Sequence, residues 1–147
     1  MRVAYKYASH EINGLQAKAI KAASHVLETQ GVDGLNLRAI AEHAGIGIAS
    51  MYHYFKNKDE LLLSVALAGY EELRQDMLLL QSAPQFQSPS RGAAQAYFDF
   101  VEGRPALFSV MCNDRLLTGY GVLRDAQERM FQAYEAAIMK DDRVPER

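Results

Sequence analysis

The segment from Asn36 to Lys58 constrains the fold more than any other, because helix breakers interrupt its apolar pattern at short intervals. Gly45 and Gly47 lie two residues apart, and apolar residues recur every three to four positions on both sides of them. Asn36 is of a type that caps the beginning of a helix, and glycine suits the left-handed position at the end of one. The segment therefore predicts two short helices joined by a tight turn, held in place by their neighbours.

Two longer helices are predicted on either side of this segment. Asn13 and Gln16 have the spacing of a capping box, and the helix that they begin would end at Gly31. Asn57 and Glu60 form a second capping box, after which the apolar period continues to about residue 80. Each short helix thus has a long partner against which it can pack.

The remainder of the chain predicts a loop and three further helices. Ser, Pro and Gln dominate residues 81–92, which indicates a connecting loop. We predict a helix capped by Ser90, a short helix from Pro105 to about residue 113, and a longer one over about residues 120–140. No useful stretch alternates like a strand, so the fold class is all-α. We divide it into units 1–57 and 58–147.

Several function classes are disfavoured by residue content. Cys112 is the single cysteine, so there is no internal disulfide framework, and we interpret it as a small buried hydrophobe. His43 and His53 lack zinc-site spacing, and no motif indicates an enzyme, so we predict no metal, no cofactor and no catalysis. The longest apolar run, residues 61–69, is far shorter than the about 20 residues of a membrane span. Together with the lack of a signal sequence, this predicts a cytoplasmic protein.

The two short helices have the features of a helix-turn-helix, in which the second helix enters the major groove of DNA. Its outer residues Ile48, Ala49 and Ser50 are slim enough to approach base edges, where apolar groups can touch thymine methyls and a hydroxyl can bond a base or phosphate. The inner face would be anchored by apolar residues: Ile40, Ala44, Ile46, Met51 and Phe55.

Groups suited to the DNA backbone flank this helix. The hydroxyls of Tyr52 and Tyr54 can bond phosphate oxygens, and Arg38 lies near the start of the preceding helix. Lys58 lies in the first turn of the next helix, where a cation is unfavourable unless an anion docks there. The net charge of −2 argues against indiscriminate nucleic-acid binding.

Residues 31–62 resemble the DNA-binding domain of the TetR family of transcriptional regulators. The family pattern of glycine, leucine, arginine, isoleucine-alanine, glycine, tyrosine, phenylalanine, lysine and leucine is filled by Gly34, Leu35, Arg38, Ile40, Ala41, Gly45, Tyr52, Phe55, Lys58 and Leu61. The resemblance extends over about residues 13–65. Gly47 departs from it, since the family commonly has a serine cap there, and Ile48 stands where a polar residue is frequent.

The resemblance implies a homodimer that binds a palindromic double-stranded DNA operator and is released when a small-molecule effector enters the C-terminal helical domain. It implies DNA contacts for Arg38, Ser50, Tyr52, Tyr54 and Lys58. Asn36 would lie near a phosphate. The implied function is a ligand-responsive regulator, more specifically a repressor; the alternative is a helical ligand-binding or protein-interaction module that does not bind DNA.

The C-terminal half carries the predictions about ligand and assembly. Residues 96–111 resemble a segment in one subgroup of TetR C-terminal domains. The family usually has two further helices where residues 139–147 form a charged tail, so we expect either a shortened member with another dimer surface or a fragment. Ligand pockets and cores are lined by the same residue types, so both roles stay open for the nominated pocket residues. These are Tyr97, Phe100, Met111 and Tyr134.

Overall fold

The computed structural model describes residues 14–141, and within this range it contains eight α-helices, one 3-10 turn and no strand. The all-α prediction is confirmed. Asn13 of the first predicted capping box lies outside the described residues. The helices are α1 (Gly14–Gln30), α2 (Leu37–Ala44), α3 (Ile48–Tyr54), α4 (Lys58–Leu80), α5 (Pro89–Gly103), α6 (Pro105–Met111), α7 (Asp114–Gly119) and α8 (Gly121–Met139), and the 3-10 turn is Val32–Gly34.

The predicted glycine stops have the expected backbone conformation. Gly31, after α1, has φ 76°, and Gly45, after α2, has φ 67°. Both values lie in the left-handed region, which a residue with a Cβ enters only at a cost. Gly47 has φ −61° and ψ 141° and is the N-cap of α3, to which it supplies no side-chain hydrogen bond. Three glycines therefore separate α1, α2 and α3.

Two asparagine side chains cap helices as the sequence predicts. Asn36 Oδ1 accepts a hydrogen bond from the Ala39 N–H at 2.8 Å, at the start of α2. Asn57 Oδ1 accepts one from the Glu60 N–H at 3.0 Å, at the start of α4. The Glu60 carboxylate accepts from the Lys56 N–H at 2.7 Å. The second half of this capping box is thus made one residue earlier than in the standard motif.

The structure corrects two predictions about helix ends. Helix α5 begins at Pro89 with Ser88 as its N-cap, because a proline suits the first turn, where its missing N–H costs nothing. Ser90, the predicted cap, lies inside α5 and donates from its hydroxyl to Asp141 Oδ2 at 2.6 Å. The sequence does not predict helix α7, since six residues are too few to show a helical period.

Helix α4 is the central element, with α1, α5, α6 and α8 packed around it. Two glycines allow backbones to approach closely. A Cβ on Gly69 in α4 would lie 2.7 Å from the Met111 sulfur, and a Cβ on Gly92 in α5 would lie 2.6 Å from the Leu80 carbonyl carbon. These distances are shorter than van der Waals contact, so glycine sets the spacing between α4 and both α5 and α6.

A buried tyrosine connects three helices. Tyr70 in α4 is 1% exposed, and its hydroxyl donates to the Met111 carbonyl oxygen at 2.8 Å. Gln127 Nε2 in α8 donates to the same hydroxyl at 3.2 Å. This bond explains why a glutamine interrupts the apolar stripe of α8. Burial, with a smaller contribution from Cys112, raises the pKa of the Tyr70 hydroxyl.

Cys112 does not occupy the core position that we predicted. It is the first residue after α6 and is exposed, since the helical period that buries Met111 ends there. Its sulfur lies 3.9 Å from the Tyr70 hydroxyl, and partial burial of the thiol raises its pKa. Within residues 14–141, no helix combines the length and apolar character needed to cross a bilayer.

Candidate nucleic-acid interface and ligand pockets

The inner faces of α2 and α3 form the small core that the sequence predicts. Ile40 and Met51 are 0% exposed and Phe55 is 1% exposed. Ile46, in the turn between the helices, is buried, and Ala44 packs against the same cluster. On the outside, the rings of His25 in α1 and His43 in α2 stack with centroids 5.4 Å apart. The recognition helix is therefore supported from behind.

The outer face of α3 is open to solvent at its first turn. Ile48 is 37% exposed, Ala49 is exposed and Ser50 is half-buried. Tyr52, one turn further along, is 54% exposed. Because Gly47 is the N-cap, the residue in front of this turn carries no side chain. The surface that the sequence assigns to base reading is thus accessible to a large partner.

The two tyrosines of α3 differ in their surroundings. Tyr54 is half-buried against the hydrophobic core, and its ring meets that of His53 edge to face, with centroids 5.2 Å apart. Tyr52 projects further into solvent. Packing therefore fixes the ring of Tyr54 more firmly than that of Tyr52.

The predicted backbone cations are in contrasting states. The Arg38 side chain is exposed and has neither a hydrogen bond nor an ion pair within the described part of the chain. Lys58 is half-buried, and its ammonium donates to the Val32 carbonyl oxygen at 2.8 Å, a bond that no local pattern indicates. An ammonium has three donors, so two remain for a phosphate. Asn36 is exposed at the start of α2, where its side-chain oxygen is already used as the cap.

An ion pair reduces the negative charge beside Lys58. The Arg115 guanidinium in α7 contacts both carboxylate oxygens of Asp59, at 2.5 and 3.0 Å. The hydrogen bond from Arg115 lowers the pKa of Asp59, with a smaller contribution from the charge of Lys58. The acidic residue next to Lys58 is thus partly neutralised from the C-terminal half of the chain.

Sequence reasoning missed a second contact between the two halves. The carboxylate of Glu28 in α1 accepts hydrogen bonds from the backbone N–H groups of Leu107 at 2.7 Å and Ala106 at 3.4 Å, in the first turn of α6. Carboxylates are favoured at helix N-termini by charge and by unpaired amides. Glu28 and Leu107 are 79 positions apart, so no local pattern could have indicated the bond.

The structure brings together two of the four nominated ligand residues. Tyr97 in α5 and Tyr134 in α8 line an apolar cavity of about 240 Å³ between α4, α5 and α8. Phe98 and Phe131, which we expected in the core, are 61% and 46% exposed and lie at this cavity. The remaining lining residues are Met77, Ala94 and Met130.

The other two nominated residues lie elsewhere. Met111 is 0% exposed and fills the space against Gly69, so it belongs to the core. Phe100 lines a separate groove of about 270 Å³, where its ring lies 5.2 Å below the Arg104 guanidinium. The four residues therefore do not form one pocket. Metal binding has no support within residues 14–141, where no three His, Cys, Asp or Glu side chains are grouped for it.

Known proteins match the N-terminal part of this chain. Residues 19–65 match the family described as bacterial regulatory proteins, tetR family. The HTH-type transcriptional regulators Rv1816 of Mycobacterium tuberculosis and Mb1846 of Mycobacterium bovis are each 34% identical to it over 59 residues. That segment is 40% of this chain and 25% of each relative. The chain thus spans a quarter of the length of these curated relatives.

Solved structures match a larger part of the chain. A tetR-family transcriptional regulator from Streptomyces coelicolor gives a TM-score of 0.69 at 21% identity, over 92% of this chain and 61% of that one. A TetR family transcription regulator from Marinobacter aquaeolei VT8 gives 0.59 at 18% identity, over 86% of this chain and 65% of that one. At such identities the likeness shows the fold alone, and this chain spans less than two thirds of each structure.

Proposed function

The chain belongs to the tetR family of bacterial regulatory proteins through residues 19–65, and from this premise we propose that it is a ligand-responsive repressor that binds duplex DNA as a homodimer. The observation that carries the proposal is the two-sided character of α3. Met51 and Phe55 anchor its inner face, while Ile48, Ala49 and Tyr52 are exposed on its outer face. A connector within a helical bundle has no need of such an open apolar and aromatic surface.

Base reading is proposed for the first turn of α3. Ile48 and Ala49 offer apolar contacts to thymine methyl groups, and the Ser50 hydroxyl offers a hydrogen bond. Arg38, Tyr52, Tyr54 and Lys58 would hold the phosphates on either side. Asn36 would lie beside a phosphate, with its amide nitrogen as the donor, since its oxygen caps α2.

Two copies bound to a palindrome must hold their recognition helices at a fixed separation, about one helical turn of DNA or a multiple of it. We propose that the effector changes this separation. Helix α4 carries Lys58 at its first turn and also lines the apolar cavity through Met77. A guest between Tyr97 and Tyr134 would contact the same helix that positions the phosphate-binding end. A cytoplasmic location is part of the proposal.

Selection of bound duplexes from a randomised DNA library tests this function for an operator of any sequence. We expect enrichment of a palindrome, with affinity for it that falls steeply as salt is raised because counterions are released from the phosphates. Ile48→Ser should change the enriched sequence, whereas Lys58→Ala should weaken binding to all duplexes alike. Absence of any enriched sequence, with the protein folded, would favour the helical ligand-binding or interaction module instead.

A further inference from the structure

A groove of about 450 Å³ lies between the N-terminal helix and the central helix. It shares no lining residue with the apolar cavity around Tyr97. Its volume falls in the range of about 300 to 1,000 Å³ that is typical of small-molecule sites. The lining residues come from α1, from α4 and from the junction of α5 with α6: Ala17, Ile20, Lys21, Ser24, Ala68, Gly69, Glu72 and Arg104.

The walls of this groove are fixed to one another. Arg104 immediately precedes α6, whose first turn is bound to α1 by the Glu28 carboxylate. The Arg104 guanidinium also pairs with Glu72 of α4 at 2.5 Å and lies over the Phe100 ring. Since Ala68 and Gly69 have little or no side chain, α4 leaves open space beside them. The groove is therefore a formed feature that does not depend on a loop.

Charge in the groove is unbalanced by one unit. Lys21 and Arg104 are positive and Glu72 is negative. Glu72 already pairs with Arg104, whereas the Lys21 ammonium has no hydrogen bond or ion pair with any residue from 14 to 141. The Ser24 hydroxyl, one turn further along α1, is a further donor beside it. The remaining surface of Ala17, Ile20, Ala68 and Gly69 is apolar.

We propose that this groove binds a small organic acid with a single carboxylate and an apolar tail. The carboxylate would pair with the Lys21 ammonium and accept a hydrogen bond from the Ser24 hydroxyl. The tail would cover Ile20, Ala68 and Gly69. A monoanion neutralises the net charge of the lining, whereas a cation is repelled by Lys21 and a neutral molecule leaves its charge without a partner.

Occupancy of this groove has a consequence for DNA binding, which rests on the proposed function. The guest would contact α1, which supports the recognition helix, and α4 at the same time. It would therefore restrict movement of the helix-turn-helix relative to the central helix. Such a site can bias the DNA-binding state only through a difference in affinity between the arrangements of these two helices.

The test is a titration of the full 15N-labelled chain with sodium octanoate, followed by backbone amide shifts. We expect saturable shifts at Ser24, Ala68 and Gly69, and at least tenfold weaker binding of octylammonium. Lys21→Gln should weaken octanoate binding about tenfold. The matched control is Lys18→Gln, which removes another exposed lysine of α1 that does not line the groove and should leave the affinity unchanged.

Three outcomes would overturn the site: no saturable shift, shifts confined to the apolar cavity around Tyr97 and Tyr134, or equal octanoate affinity in the Lys21→Gln and Lys18→Gln variants. Thermal unfolding by circular dichroism verifies that both variants are folded. DNA binding is measured on the same preparations. Octanoate binding without DNA binding would refute the regulator alone, and DNA binding without octanoate binding would refute the groove alone.

Discussion

The Glu28 carboxylate accepts a hydrogen bond of 2.7 Å from the Leu107 N–H and thereby joins helix α1 to the first turn of α6. Two further bonds tie the start of α4 to its surroundings, from Lys58 to Val32 and from Arg115 to Asp59. The helix-turn-helix is thus attached to the C-terminal half by polar contacts as well as by the shared core.

Glu28→Ala should lower the free energy of unfolding by about 1 kcal/mol, because two amides of α6 lose a charged acceptor at a helix N-terminus. Glu28→Gln, which retains an acceptor oxygen without the charge, should lower it less. Urea unfolding followed by circular dichroism measures both. Glu135→Gln, on the exposed face of α8, is the matched control and should change nothing. Equal stability of Glu28→Ala and the unaltered protein would show that the bond contributes nothing.

Arg38→Ala should weaken binding to every duplex selected by the protein, with little change in sequence preference. The plot of log affinity against log salt should become shallower by about one unit, because one fewer phosphate is neutralised. Fluorescence anisotropy at several salt concentrations gives both quantities. Arg129→Ala, which removes an exposed arginine of α8, serves as the control. A change in sequence preference without a change in slope would mean that Arg38 contacts bases.

Gly92→Ala should destabilise the fold by about 2 kcal/mol or more, since the new Cβ would collide with the backbone carbonyl of Leu80, which cannot rotate away as a side chain can. Gly103→Ala lies at the end of the same helix, where a Cβ meets nothing within 4 Å. It should leave stability unchanged or raise it slightly. Thermal unfolding of the two variants side by side tests the difference, and similar midpoints would contradict the close approach of α4 and α5.

The pair of Asp59 and Arg115 should give a pH-dependent contribution to stability. The hydrogen bond from Arg115 lowers the pKa of Asp59 in the folded chain below its ordinary value of 3.8. The contribution is therefore fully present above the unfolded-state pKa and is lost as pH falls through the folded-state pKa. Arg115→Gln should be less stable than the unaltered chain at neutral pH and equally stable once Asp59 is protonated. Urea midpoints measured across the acidic range provide the test, and a difference that persists after protonation would assign the effect to packing.

Local signals predicted most of the helix boundaries. Gly31, Gly45, Asn36 and Asn57 act on their own helix ends through left-handed backbone or side-chain caps, so their effect can be deduced from a few neighbouring letters. The inner face of α3 was predictable for a similar reason, because a period of three to four residues places Met51 and Phe55 on one side.

Contacts between distant segments were beyond such reasoning. Whether Met111 lines a pocket or fills the core depends on Gly69, 42 positions away, whose missing side chain leaves the space that the methionine occupies. Phe100 and Tyr97 lie one turn apart on α5 but line different cavities, because α8 packs beside one and Arg104 covers the other. The residue types alone could not distinguish these positions.

The bond from Lys58 to Val32 has a consequence for the strength of recognition. A free lysine side chain gives up to about 2 kcal/mol of rotational freedom when it is immobilised. Here part of that loss has already occurred during folding, since the ammonium is held 2.8 Å from a carbonyl oxygen before any partner arrives. A phosphate that approaches this ammonium therefore meets a preorganised donor, and less of the attraction is consumed in ordering the chain.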